Sequence, residues 1–215
     1  MTTKDETRKN FHIVLASGSP RRRDLLRALS WDFEVAVSEA DESALPSETP
    51  EALCVRLAEA KAAAVAENRR SLCSRAHEND LVIGADTIVL VDGEVLGKPR
   101  DRAESLGMVR RLQGRAHEVL TGLALIWGTT MTRGLERTTV RFRPLDDAAV
   151  RAYAATGEGM DKAGAYAVQG KGALLVSAVE GDYFNVVGLP LCRLGLMIEE
   201  MAERTGASFP GLFGF

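Results

Sequence analysis

Cysteine is scarce in this chain: Cys54, Cys73 and Cys192 are the three present, and they stand far apart. An odd number of isolated cysteines offers neither a disulfide framework nor metal-ligand spacing, so all three are expected to be reduced and buried. Histidine is equally sparse. His12, His77 and His117 have no mutual spacing that suits a metal, and each is expected to be structural or exposed. No apolar run approaches the length of a membrane span, and residues 1–10 are polar and mixed in charge, without the apolar core of a signal peptide. A flexible segment over 1–10 and a cytoplasmic location are expected. An excess of positive charge is also missing: the formal net charge is -3, which gives no reason to invoke nucleic acid or membrane as a partner. Basic residues gather locally at 21–23, a cluster that suits a small anion.

With 215 residues, of which 46% are hydrophobic, the chain can bury roughly 70% of the surface its unfolded form exposes. Neither repeats nor a long linker interrupts it, so a single domain over 11–207 with a tail at 208–215 is expected. Strands and helices alternate. Strands are expected at 11–15, 33–38, 81–85, 88–91, 94–96, 117–127, 136–142 and 173–179. Helices are expected after Pro20 and Pro50, at 101–113, 146–155 and 191–204, with Gly114, Gly157 and Gly206 as stops. Asp92-Gly93 is the strongest short hairpin signal. This mixture of crossovers and hairpins implies an α/β fold with a mixed, twisted sheet flanked by helices.

The most informative segment is LASGSPRRRDLL at 15–26. It runs a short apolar strand into a small-residue turn and then into a helix with Ser19 as N-cap and Pro20 at the first position. Free N–H groups and the positive end of the helix dipole favour phosphate there, Gly18 allows close approach, and the arginines add bidentate donors. The same pattern also fits a capped, solvated helix. Leu25, Leu26 and Leu29 would tie that helix to the core.

Two further segments are GADTIVLVDGEVLGKP at 84–99, and DKAGAYAVQG at 161–170 leading into GDYFNVVGLP at 181–190. Together the three segments resemble the Maf family of nucleoside triphosphate pyrophosphatases, in order, over nearly the whole chain. The resemblance implies two lobes around a long central cleft, related to the inosine triphosphate pyrophosphatase fold. A homodimer is expected.

A triphosphate calls for a metal, and its hydrolysis for an activated water. Asp86 directly follows the apolar run 81–85, where open α/β sheets commonly build ligand sites, and is the candidate catalyst; an Asp that merely caps a strand would look the same outside the GADT context. Glu39, Asp41 and Glu42 lie just beyond another strand, and local sequence does not choose among them. By motif, Glu42 matches the family's metal-site glutamate, shared with Asp86, and magnesium or manganese suits such an all-oxygen site. Lys61 falls on the same i, i+4 row as Leu53, Leu57 and Val65, which turns it inward, unless its stem lies along the surface with the ammonium in water. Lys61 and Lys98 match family positions at the phosphate end of the cleft. The run 93–98 is not a P-loop, since its lysine precedes Pro99 and no helix begins there.

The reaction so implied is attack of water on the α-phosphorus of a nucleoside triphosphate, leaving a monophosphate and pyrophosphate. Asp86 accepts the proton, while Ser17, Arg22, Lys61 and Lys98 hold the triphosphate. Arg21, Thr87 and Gln169 match the family branch acting on dTTP and UTP. An amide at 169 offers both a donor and an acceptor to a uracil or thymine edge. CTP and modified pyrimidine triphosphates are further candidates, in keeping with a house-cleaning role. A nucleotidyltransferase, with a similar strand, loop and arginine, and a nucleotide-binding regulator of septum formation are the alternatives.

Overall fold

The helix starts fall where prolines and capping residues put them. The computed structural model describes residues 11–72 and 79–212. Its elements are β1 (His12–Leu15), α1 (Pro20–Ala28), β2 (Phe33–Val35), α2 (Pro50–Leu72), β3 (Asp80–Val91), β4 (Glu94–Leu96), α3 (Arg102–Leu112), β5 (Ala116–Trp127), β6 (Thr130–Phe142), α4 (Asp147–Thr156), β7 (Val176–Glu180), α5 (Tyr183–Val187) and α6 (Leu191–Thr205). The segment 1–10, Cys73, His77 and residues 213–215 lie outside the described residues. Thr49, Asp101 and Asp146 accept backbone N–H bonds at the starts of α2, α3 and α4. Ser19 precedes α1 in extended conformation, but its side chain makes no cap bond. Among the described residues no helix is long and apolar enough to cross a membrane.

The sheet runs in the order β2-β1-β3-β5-β6-β7, with β4 paired to β3. β1 is parallel to β2 and β3, whereas β5, β6 and β7 follow in antiparallel succession. This is the expected mixed sheet with helices packed against it, but several boundaries move. Residues 81–85 and 88–91 are not two strands; β3 runs unbroken through Asp86, which pairs with Gly122 of β5. β6 begins at Thr130 instead of 136, because a two-residue turn at Gly128 and Thr129 carries the ladder through a polar stretch lacking strand-like alternation. β2 stops at Val35 rather than 38, where its one neighbour among the described residues, β1, ends at Leu15. β7 starts at Val176, since 170–174 forms a short 3-10 helix. The five-residue α5 is too short to leave a periodic signal.

Side-chain expectations shift as well. Leu25 and Leu26 are buried, but Leu29 lies past the last turn of α1 and is exposed. Cys54 is buried and Cys192 is exposed, off the apolar stripe of Leu194, Met197, Ile198 and Met201 on α6. His117 is buried against Phe142 and Tyr166, and burial pushes its pKa down to about 4. Phe209 and Leu212 join the core, and the indole N–H of Trp31 donates to the Leu212 carbonyl at 3.0 Å.

Two apolar clusters share one sheet face. One packs β1, the first half of β3 and the end of β5 against α1 and α6; the other packs the far half of β3 and the start of β5 against α3 and α4. α2 crosses the opposite face, laying Cys54, Ala58, Ala62 and Val65 on Val82, Ile88, Leu120 and Ala124. The helix comes this close because Gly84 and Gly122 carry no side chain. A Cβ on Gly84 would stand 2.2 Å from the Ala58 carbonyl oxygen, and one on Gly122 would stand 2.3 Å from that of Cys54. Gly122→Ala should therefore lower the free energy of unfolding by about 2 kcal/mol, since rigid backbone must move aside. Urea denaturation checks this, and an unchanged midpoint would contradict so close a contact.

Candidate active site

Between β1 and β4, the edge of β3 has no neighbouring strand over residues 84–88 among the described residues, because β1 is paired only to Ile83 and β4 only from Val89. The segment after β1 fills part of this gap, with the Ala16 N–H donating to the Ile83 carbonyl at 2.8 Å. The remaining space is a cavity of about 580 Å³. One wall holds Ser17, Gly18 and the start of α1, another holds Gly97 and Lys98, and residues 161–163 and 166–169 close a third side.

On the α2 side, Lys61 does turn inward. Its Nζ lies 2.6 Å from Asp86 Oδ1 and 2.9 Å from Glu42 Oε1, so one ammonium joins two carboxylates. The geometry follows from spacing: Lys61 continues the row of Leu57 and Val65, and Gly122, opposite Asp86, lets α2 descend to the strand. The Lys61 and Asp86 side chains are each 12% exposed, against 58% for Glu42. Asp41 spends its carboxylate on the N–H and hydroxyl of Ser43, and only Glu42 of the three acidic neighbours lines the cavity. Beneath Asp86, the Cys54 sulfur meets the Asp86 and Leu120 carbonyls at 3.2 and 3.4 Å and accepts from the Gly122 N–H at 3.0 Å. Burial and the Asp86 charge push this thiol up to about 12, leaving it neutral and unreactive.

Arg22 is built into the frame. Its Nε donates to the Gly188 carbonyl at 2.7 Å, Nη1 to Ser17 Oγ at 3.0 Å and the Ala85 carbonyl at 2.8 Å, and Nη2 to Thr87 Oγ1 at 3.0 Å. A guanidinium has five N–H groups, so one remains for a ligand. Burial lowers the Arg22 pKa, an effect that Asp86 opposes. Thr87 continues the network to Thr121 Oγ1 at 2.9 Å, and Thr121 donates to the Asn185 carbonyl at 3.2 Å. Ser17 Oγ also accepts from the Ser19 N–H at 3.3 Å.

Arg21 reaches across the cavity to Asp161, Nη1 to Oδ2 at 3.1 Å. Although partial burial works against it, bonds from Lys162 and Arg21 hold the Asp161 carboxyl below the usual carboxylate range. Lys98 and Gln169 are both exposed residues of the cavity wall. All nine sequence-predicted site residues thus line one cavity, with Asp86 and Glu42 in direct contact with Lys61. Sequence reasoning passed over Asp161, Thr121 and Asn185. Asp161 and Asn185 stood inside segments already singled out, and Asn185, a polar residue in an otherwise apolar run, was the legible signal. Thr121 offered none.

Asp86 and Glu42 are the carboxylates that could share a metal. Among the described residues no three His, Cys, Asp or Glu side chains form a cage. A pair of carboxylates suits magnesium, which is usually held by one or two of them together with substrate phosphates.

Comparison with known proteins places these observations. The family of Maf-like proteins matches residues 12–201. The dTTP/UTP pyrophosphatase of Symbiobacterium thermophilum is 50% identical over 188 residues, spanning 87% of this chain and 93% of that protein. That of Pelotomaculum thermopropionicum is 49% identical, over 87% and 95%, and that of Clostridioides difficile is 42% identical, over 88% and 95%. Among solved structures, the Staphylococcus aureus Ham1 protein aligns with 61% of this chain and 71% of its own, at 14% identity and a TM-score of 0.39.

Arg22→Lys should be costly to the fold, because a lysine cannot reach four acceptors lying in different directions. The expected loss is about 2 kcal/mol or more of unfolding free energy, read from urea denaturation. Wild-type stability in the variant would show that the guanidinium is not the brace.

Proposed function

The chain belongs to the Maf family, and from that premise we infer that it hydrolyses dTTP and UTP to the nucleoside monophosphate and pyrophosphate. The observation that carries this reading is the convergence of Asp86 and Glu42 on Lys61, beside a helix N-terminus and its arginines in a single cavity. A helix start with unpaired N–H groups favours phosphate. Lys61, Lys98 and the remaining N–H of Arg22 add positive charge for the departing pyrophosphate. The paired carboxylates lie where a polyanion must come in. One ammonium against two carboxylates leaves this cluster, taken by itself, with a net negative charge close to where the phosphates would lie.

Magnesium or manganese held by Asp86 and Glu42 would offset that charge and polarise the phosphate oxygens and water. The chain's own residues do the rest. Asp86 accepts the proton from the attacking water as its oxygen bonds to the α-phosphorus. The bond from that phosphorus to the bridging oxygen breaks, and pyrophosphate leaves with the electron pair. Lys61 keeps Asp86 oriented and close to a compensating charge. No covalent enzyme intermediate is required.

Gln169 supports the pyrimidine preference, because its amide can both donate to a ring carbonyl and accept from the neighbouring N–H. Thr87 has its hydroxyl engaged by Arg22 and Thr121, so it shapes the cavity rather than offering a free hydroxyl. The same chemistry admits CTP and modified pyrimidine triphosphates, in keeping with a house-cleaning role.

With magnesium or manganese, UTP or dTTP should yield the monophosphate and pyrophosphate, and Asp86→Asn should lower turnover roughly 100-fold or more while nucleotide binding persists. Separate assays for orthophosphate and pyrophosphate, alongside a binding measurement, check both. Accumulation of UDP would refute the cleavage position, and near-normal turnover by a folded Asp86→Asn protein would move the base elsewhere.

A further inference from the structure

Glu158, just beyond α4, has no part in the chemistry above, yet its carboxylate points back at the segment carrying Gln169. Oε1 accepts from the Lys171 N–H at 2.9 Å and Oε2 from the Gly172 N–H at 2.8 Å. These are donors at the start of the 3-10 helix 170–174, where N–H groups lack partners within the helix. The nearby Tyr153 hydroxyl, which favours the charged form of Glu158, accepts from the Ala167 N–H at 3.1 Å. The backbone is thus held two residues before Gln169 and two residues after it, while the Gln169 side chain makes no cap bond of its own. Packing leaves little slack. A Cβ on Gly172 would stand 2.0 Å from the Ala167 carbonyl oxygen, and one on Gly170, whose φ is +64°, would stand 2.4 Å from Glu158 Oε1. Partial burial raises the Glu158 pKa, but the two N–H groups and the Tyr153 hydroxyl outweigh it and leave the carboxyl below its ordinary value.

We propose that Glu158, with Tyr153, is a positioning residue for base selection: it clamps the loop so that the Gln169 amide presents its donor and acceptor to a pyrimidine edge. The proposal rests on the reading of Gln169 given above. Only a carboxylate fits the task, since both of its oxygens accept. The amide of Glu158→Gln would turn an NH2 group toward one of the two N–H donors. The clamp touches neither the phosphates nor Asp86, so its loss changes which base is accepted and leaves cleavage intact.

The test is the ratio of kcat/KM for UTP to that for GTP, with magnesium, in wild type, Glu158→Gln, Gln169→Ala and the double variant. Glu158→Gln should lower the ratio about 10-fold by raising KM for UTP, with kcat nearly unchanged. Gln169→Ala should do likewise, and the double variant should be no worse than Gln169→Ala alone, because coupled residues are not additive. Amide hydrogen exchange at Lys171 and Gly172 should quicken in Glu158→Gln. Tyr153→Phe, which keeps the ring and removes the hydroxyl, supplies a second variant should Glu158→Gln fold poorly. If Gln169→Ala lowers the ratio and neither Glu158→Gln nor Tyr153→Phe does, the clamp is overturned and the base reading stands. An unchanged ratio in Gln169→Ala overturns the base reading, and the clamp's role in selection with it. A uniform loss of activity on both nucleotides in Glu158→Gln and Tyr153→Phe would show a merely structural role, and overturn the proposal.

Discussion

The approach of α2 to the β3–β5 pair is the constraint on which the site depends. Two glycines facing the helix, Gly84 and Gly122, remove the side chains that would hold it away, and that closeness brings the Lys61 ammonium within 2.6 Å of Asp86. A charged pair so little exposed is costly to desolvate, and it persists only where geometry and further partners compensate. Here Glu42 supplies the further partner from the more exposed side. The helix also sets Cys54 beneath the strand, where its neutral thiol fills space and accepts the Gly122 N–H. One packing decision therefore produces the charged cluster and its apolar floor together.

Around that cluster the cations divide into two kinds. Arg22 is 8% exposed and four of its bonds join the turn after β1, β3 and the end of α5, so its charge is fixed in place before any ligand arrives. Arg21, paired with Asp161, and Lys98 sit nearer the solvent. Electrostatic stabilisation works best when donors are already oriented and need no rearrangement during reaction. The buried arginine provides that rigidity for the loop, and in the proposed reaction the outer cations would supply attraction at the cavity mouth.

Much of this was legible in the residues. Pro20 and Pro50 marked helix starts, Asp92-Gly93 marked the β3–β4 turn, and the i, i+4 row through Lys61 turned it inward. Strand continuity was not legible, because Asp86 and Thr87 interrupt an apolar run and resemble a break, whereas the long ladder to β5 carries β3 through them. The start of β6 was hidden for the same reason: register with a neighbouring strand does not show in local sequence. Leu29 and Cys192 were misjudged because apolar character alone tells neither where a helix ends nor which of its faces is buried. The internal role of Arg22 was also out of reach, since three of its four acceptors, the Ala85 and Gly188 carbonyls and the Thr87 hydroxyl, come from residues more than sixty positions away.

The central claim is that Asp86 directs water onto the α-phosphorus of a pyrimidine nucleoside triphosphate. Turnover of UTP in water enriched in the heavy oxygen isotope, followed by mass spectrometry of both products, tests it most directly. The account predicts the label in the uridine monophosphate and none in the pyrophosphate. Label in the pyrophosphate would mean attack at the β-phosphorus and would contradict it.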